Sequence, residues 1–472
     1  MKYQVCYYIT GHGLGHATRC IKVIEYLISV GIQCDVVTNL NILSFIQKNL
    51  SVESQHKITL HGRVLDGGAV QTSPLTVDPI ATLNNYIPIY EQHEILVQKE
   101  ITFLIEKKID IVLCDATPLA CRAGHLAQCK VCVISNFTWD YIYTEILAAA
   151  IRDTPTDIEE VVLSQYRAVV QSCAEDYSYV DLYLQLPGEN PVPSGIPAHR
   201  VIPMPLLARH ANLSRREARK QLKILPSTNV LLLCFGGFQS HFHLCDHFLP
   251  KGWICLSLFS NPEDMPSERF ISLPADTYVP DILEASDVVL GKLGYGLLSE
   301  CLATAIPLLY IRRSYWPEEP HLVHYMRSQQ GCISVEEHDF LHGKWELYLF
   351  RALLTSRGIR CRGADDDEEE KDVDDGHACD SQHQHVEGGT ATDPDTDPDP
   401  EGRHTTTAAL TTPAPPHCPA AASKLKSSNS SSSRRRRRGS CQRLDTSGRL
   451  MKDPTAPAAI IAHVIDLFKS NS

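Results

Sequence analysis

Short apolar runs recur along the chain, each followed by a glycine-rich or polar break and then by apolar residues at helical spacing. Tyr3–Thr10 is the first such run and Gly11–Gly15 breaks it. Ile21, Val23, Ile24, Leu27 and Ile28 then mark one face of a helix predicted over Ala17–Val30, which Gly31 ends from the position where a left-handed residue closes a helix. Cys34–Thr38 reads as the next strand, Leu96–Lys107 as a helix, and Ile109–Cys114 and Lys130–Ser135 as two further strands. Strands alternating with helices at this spacing predict an α/β fold, with parallel strands and helices on both faces. A second series follows. Ser214–Leu222 reads as a basic amphipathic helix, Asn229–Phe235, Trp253–Phe259 and Val288–Leu290 as strands, Ser299–Ala305 as a helix and Pro307–Ile311 as a strand.

Between the two series, 187–205 is rich in proline and glycine and predicts a linker, so that 1–186 and 206–357 form two Rossmann-like domains facing a cleft. From 358 to 452 the pattern changes. Asp365–Asp375 is almost wholly acidic, Asp393–Pro400 alternates acid and proline, Ser427–Ser433 is mostly serine, and Arg434–Arg438 is all arginine. Such composition buries too little apolar surface to offset chain entropy and predicts a disordered insert. Its arginines read as a solvated charge run, or as a nuclear address or RNA-binding patch. Periodicity returns in 453–472. There Ile460, Ile461, Val464, Leu467 and Phe468 share one face of a helix expected to fold back on the core.

Composition narrows the function classes. Of 472 residues 43% are hydrophobic and 7% aromatic, ordinary for a globular α/β chain, and much of the net charge of −12 sits in the acidic stretch. The folded portion has no basic stripe of the kind that nucleic acid requires. The 17 cysteines lie scattered, many within apolar strands such as Val131-Cys132-Val133. That usage suits buried thiols in a reducing, cytoplasmic compartment rather than a disulfide scaffold. Cys129 and Cys132 form a Cys-x-x-Cys pair, but at a strand start rather than at the helix N-terminus that redox chemistry favours. No secretory leader pattern and no run of about 18 apolar residues occurs, so no membrane span is expected.

Two glycine-rich turns carry the candidate chemistry. Gly11-His12-Gly13-Leu14-Gly15-His16 lies between the first strand and the first helix, where bare backbone amides can face an anion. A dinucleotide fingerprint would have glycine in place of His16 and an acid where Thr38 and Asn39 stand. A tight turn explains the glycines but not His12 and His16. In the second series Phe235-Gly236-Gly237 follows a strand, as a phosphate contact or a plain turn. Gly291-Lys292-Leu293-Gly294-Tyr295-Gly296-Leu297-Leu298-Ser299-Glu300 runs from strand through glycine loop into helix. Its loop suits a pyrophosphate at the helix dipole, and Glu300 suits the two hydroxyls of a ribose or, alternatively, is an ordinary helix acid.

Gly11–Arg19, Leu65-Asp66-Gly67-Gly68-Ala69-Val70-Gln71, Asn136-Phe137-Thr138-Trp139-Asp140, and Gly291–Glu300 through Glu318-Glu319-Pro320 resemble the N-terminal glycosyltransferase-like region of plant L-arabinokinase, over about 1–357 and the last helix. More distantly, the chain resembles MurG-type enzymes of glycosyltransferase family 28. The resemblance implies the GT-B fold, with a nucleotide-sugar donor, usually a UDP-sugar, held by the C-terminal domain through Gly236, Gly237, Lys292, Gly294, Tyr295, Gly296, Glu300, Glu318 and Glu319. An acceptor would meet the N-terminal domain near Gly13, Gly15, Asn136 and Asp140. It implies no metal and no separate cofactor, and no Asp-x-Asp metal signature stands out in 1–357. His16 is then the leading base for an inverting hexosyl or pentosyl transfer, and His12 the second. Asp115 orients the base or acts itself, or else caps the next helix. Lys292 and the amides near Gly237 and Gly294 would stabilise the leaving diphosphate. Glu318 and Glu319 would meet donor sugar hydroxyls, or form a surface loop. The sugar-kinase signature of the arabinokinases, Pro-x-x-x-Gly-Leu-x-Ser-Ser, does not occur. A non-catalytic nucleotide-sugar-binding module and a nucleotide-sugar epimerase are the other functions this architecture hosts.

Overall fold

In the computed structural model, the residues described are 3–153, 158–188, 190–237, 242–258, 261–274, 276–329, 331–354, 461–462 and 464–465. All of them lie in one compact unit. The insert expected over 358–452 falls outside the described residues.

The strands, in chain order, are β1 (Gln4–Ile9), β2 (Gln33–Thr38), β3 (Ile58–Gly62), β4 (Gln71–Ser73), β5 (Thr76–Val77), β6 (Ile111–Asp115), β7 (Lys130–Ser135), β8 (Leu182–Gln185), β9 (Val201–Pro203), β10 (Asn229–Cys234), β11 (Trp253–Leu258), β12 (Phe270–Leu273), β13 (Val288–Lys292), β14 (Leu308–Ile311) and β15 (Cys332–Val335). They build a seven-stranded sheet of order β3-β2-β1-β6-β7-β8-β9 and a six-stranded sheet of order β12-β11-β10-β13-β14-β15. Every pairing in both is parallel. Helices cover both faces, which is why β6, β7, β10 and β14 are near-unbroken apolar runs and not alternating ones. Each sheet reverses its winding once, between β1 and β6 and between β10 and β13. Ligand crevices of open α/β sheets form at the carboxyl ends of strands flanking such a reversal. Gly11–Gly15 and Asp115 lie at the first of these, and Gly236–Gly237 and Lys292–Gly294 at the second.

The segment expected as a linker carries the seventh strand of the first sheet, since Val201–Pro203 pairs with β8. Pro203 is tolerated there because β9 is an edge strand, with no ladder partner for the amide that proline lacks. The helix expected from Ser214 begins one residue later. Ser214 is its cap, in a capping box whose other member is Glu217. Two glycine-rich turns are shorter than expected. The first helix begins at Leu14 and the helix after β13 at Tyr295, so Gly15, His16, Tyr295 and Gly296 belong to first helical turns rather than loops. In the final segment Ile461, Val464 and Ile465 are helical and buried in the main core, as the apolar face predicts for Ile461 and Val464; Ile460, Leu467 and Phe468 fall outside the described residues.

Candidate functional site

The two glycine turns meet. A Cβ on Gly296 would stand 3.2 Å from the Gly15 Cα and 3.0 Å from Thr18 Oγ1, and one on Gly237 would stand 2.8 Å from a Leu14 methyl. The missing side chains bring the two halves together, backbone against backbone. Gly13 caps the helix Leu14–Ser29 and Gly294 caps the helix Tyr295–Ala303. Neither cap offers a side-chain acceptor to the amides of its first turn, and around both glycines the space is open. Two positive helix ends therefore converge with their amides uncapped, a concentration of donors suited to an anion.

Behind the first turn, β6 ends in Asp115 and turns sharply at Ala116. That residue adopts a left-handed φ of 60°, its carbonyl held by the Tyr177 hydroxyl at 2.8 Å. Asp115 is fully buried. It accepts from Arg19 Nη2 at 2.5 Å and Nε at 3.1 Å, from Ser135 Oγ at 3.2 Å and from Cys20 Sγ at 3.0 Å, and both its oxygens lie 3.2 Å from His16 Nδ1. Burial alone would raise its pKa, but the charge of Arg19, with the hydrogen bonds from Arg19 and His16, outweighs burial and holds the carboxyl well below the usual range. A bare ring lone pair facing two carboxylate oxygens would be repelled. His16 Nδ1 is thus assigned the proton and Nε2 the lone pair, with Arg19 Nη2, 2.9 Å away, donating to Asp115 and Ser135. Thr117, not Asp115, caps the following helix.

His12 is held differently. The Ala69 amide donates to its Nδ1 at 3.1 Å, which fixes the ring hydrogen on Nε2. The ring packs between Trp139 and Trp316, at 5.5 and 5.4 Å between centroids. Burial, with the nearby His16, Lys292 and Arg313, lowers its pKa to about 3 and keeps it neutral. Asp66, next to this turn and bonded by Thr117 Oγ1 at 3.1 Å, is pushed up to about 7 by burial.

From the second half, Lys292 ends β13 beside Gly236, where a Cβ would stand 3.3 Å from the lysine Cε. Its Nζ reaches Gln71 Oε1 of the first half at 3.4 Å. Burial, then the charge of Arg313, lowers its pKa to about 7. Glu318 is buried across the same junction, accepting from Asn136 Nδ2 at 2.5 Å and Trp316 Nε1 at 2.7 Å. Asn136 in turn accepts from Arg19. Glu319 is engaged by the Arg313 amide and Nε at 3.1 Å. Glu300 is buried too. Burial raises its pKa, opposed by Arg209, whose Nε donates to it at 2.7 Å. The Tyr295 hydroxyl accepts from the Leu207 amide at 3.3 Å while its ring lies under Arg19, so this side chain ties helix to chain. Asp140 sits in the first turn of the helix Trp139–Asp153, its carboxyl raised by burial beside Thr138.

Of the residues that the sequence singled out, the structure brings His16, Asp115, Asn136 and Glu318 together through Arg19, and sets Lys292 beside Gly236. Sequence reasoning missed Arg19, Ser135, Arg209 and Arg313, the partners that fix those groups. Arg19 had one local signal, its place three residues after His16 on the same helical face. The Cys129–Cys132 pair is buried and reduced, with the Cys129 thiol pushed up to about 11 by burial, which removes the thiolate that redox exchange needs.

No protein-family model matches the chain. It is 38% identical over 349 residues to L-arabinokinase of Arabidopsis thaliana, a similarity covering 74% of this chain and 32% of that protein. The chain thus spans about a third of the length of the curated relative it matches. Among solved structures, the glycotransferase of kitacinnamycin aligns with a TM-score of 0.50 at 17% identity, covering 77% of this chain and 98% of that one. The Arabidopsis thaliana UGT89C1 complexed with quercetin aligns with a TM-score of 0.50 at 13% identity, covering 78% and 96%. The fold is GT-B, two Rossmann-like sheets with their switch points facing one another.

Proposed function

We propose that the chain is a GT-B glycosyltransferase that moves a hexosyl or pentosyl group from a UDP-sugar to an acceptor hydroxyl, with inversion and without a metal. The observation that carries this reading is the convergence of two uncapped helix N-termini beside Lys292, with a His–Asp pair immediately behind. The diphosphate lies against the amides at Gly294–Gly296 and Gly236–Gly237, and Lys292 with the two helix dipoles carries the charge that a metal would otherwise supply. His16 Nε2 takes the proton of the acceptor hydroxyl as its oxygen attacks the anomeric carbon. The bond from that carbon to the diphosphate breaks, and its electron pair leaves with the phosphate oxygen. Asp115, pinned by Arg19 and Ser135, positions the imidazole and its tautomer. His12 is assigned a donor role instead of a base's, because its Nδ1 is already committed to the Ala69 amide.

A titration of the full chain with UDP, paired with UDP release from UDP-glucose in the presence of an acceptor panel, tests the proposal. His16→Ala is expected to leave UDP affinity unchanged and to lower turnover by about 10²–10⁴. Absence of UDP binding at about millimolar concentration would refute the donor site, and an equal rate for His16→Ala would refute the base. A second reading, a binding module without turnover, is favoured by one observation. Glu300, the group assigned to the ribose, is neutralised by Arg209. UDP binding with no turnover by the parent chain selects that reading.

A further inference from the structure

A cavity of about 760 Å³ lies on the other side of Trp316 and Glu319 from the glycine turns. One wall is a single stripe of the helix Trp139–Asp153, in which Tyr141, Glu145, Ala149 and Arg152 follow one another at helical spacing. The opposite wall comes from the second half, through the segment after β14 and the helix Glu319–Gln329. Hydrogen bonds between the halves close both ends, Tyr141 with His321 Nε2 at 2.9 Å and Tyr315 with Asp153. Tyr315 holds a left-handed φ of 59°, an uncommon conformation for a tyrosine and one that the fold must enforce.

Three guanidinium groups from three separate segments border the space, Arg152, Arg312 and Arg327, all exposed. A fourth, Arg313, is neutralised beneath them by Glu319. Arg152 shares Asp153 at 3.0 Å, and Glu145 is the exposed carboxylate of the rim. Tyr310, from β14, contributes to the lining. It is fully buried, and its hydroxyl has no hydrogen-bond partner among the described residues.

We propose that this cavity binds a phosphate monoester of a sugar or polyol. The dianionic phosphate would meet Arg152, Arg312 and Arg327, and the ligand's hydroxyls would meet Tyr141 and His321. A dianion matches several arginines converging from different segments, whereas a lone carboxylate is satisfied by one bidentate arginine. This site is separate from the donor site proposed above, and binding there does not require UDP.

The test is calorimetric titration of the full chain with glucose 6-phosphate, in the presence of saturating UDP, against inorganic phosphate, glucose and glucuronate. Saturable binding of glucose 6-phosphate is expected, at least about tenfold tighter than each comparator. Arg312→Ala with Arg327→Ala should weaken it by about tenfold or more. Tyr141→Phe should weaken it by about 3- to 10-fold. Neither change should alter UDP affinity. The proposal is overturned by absence of saturation near 10 mM, roughly the weakest affinity of interest, by phosphate or glucuronate binding as tightly, or by variants that bind like the parent. A chain that binds glucose 6-phosphate but not UDP refutes the donor site and keeps this one; the converse refutes only this one.

Discussion

Lys292 is an ammonium held where water is scarce and another cation, Arg313, is close. Its pKa of about 7 is the consequence. A lysine depressed in this way binds fewer protons folded than unfolded between about pH 7 and 10, so that stability rises with pH across that window. Below about pH 7 both states carry the proton and the unfavourable charge is fully present. A bound diphosphate reverses the balance, because an anion at the amine favours its charged form. UDP binding is therefore expected to take up a proton near pH 8, and affinity to fall as pH rises above about 7. Binding enthalpies measured in two buffers of different ionisation enthalpy report that uptake. Lys292→Met should abolish it and remove the rise of stability with pH. An uptake that survives in the variant would mean that another group, Asp66 at about 7 being nearest in range, answers to the ligand.

At the scale of elements, what a sequence exposes is local order, and the structure bears this out unevenly. β1, β7 and β10 were legible because a strand covered on both faces is a continuous apolar run. The first helix was legible because its buried face repeats every three to four residues. The helix Pro79–Glu91 was not, since Pro88 lies inside it where a proline reads as a break, although Asp78, accepting from the Ala81 amide at 2.9 Å, and Pro79 at the first position mark its N-terminus. The site was legible in its glycines and histidines and illegible in its couplings. Arg19 meets Asp115 across 96 residues and Asn136 meets Glu318 across 182, distances at which no spacing rule operates. The last helix lies between these cases. Its apolar face reads in sequence, and only the fold tells that Ile461 and Ile465 enter the main core, at 2% and 3% exposure. Ile461→Ala should then destabilise the protein by about 2–4 kcal/mol, the cost of a large-to-small change in a packed interior. Chemical denaturation measures it through the midpoint at constant slope. A change under about 0.5 kcal/mol, the range of a surface substitution, would show that this helix does not bury its face.

The two sheets share one core, although each also keeps a cluster of its own on its other face. One cluster of buried side chains runs from Val5, Ile21 and Leu113 through Leu232, Val289 and Leu298 to Val464, so it draws on both halves and on the final helix. Directional contacts cross the same junction. The Ser314 amide donates to the Leu75 carbonyl at 2.8 Å and the Val77 amide to the Ser314 carbonyl at 3.2 Å, while Asn136 binds Glu318 and Tyr141 binds His321. Separate domains in one chain usually meet over a modest and rather polar surface and move relative to each other. A junction that is continuous apolar core, with glycine backbones in contact, instead couples the folding of its two sides. Heating is therefore expected to give a single transition, with calorimetric and van't Hoff enthalpies equal, despite the presence of two complete Rossmann-like sheets. UDP at about a hundred times its dissociation constant would add about 2.7 kcal/mol to that one transition and raise its midpoint as a whole. Two resolved transitions, of which only one moved with UDP, would mean that the halves fold independently and that the shared core contributes little. In that case the glycine turns would be free to separate, and the convergence of helix ends on which the donor site rests would exist only while a ligand held it.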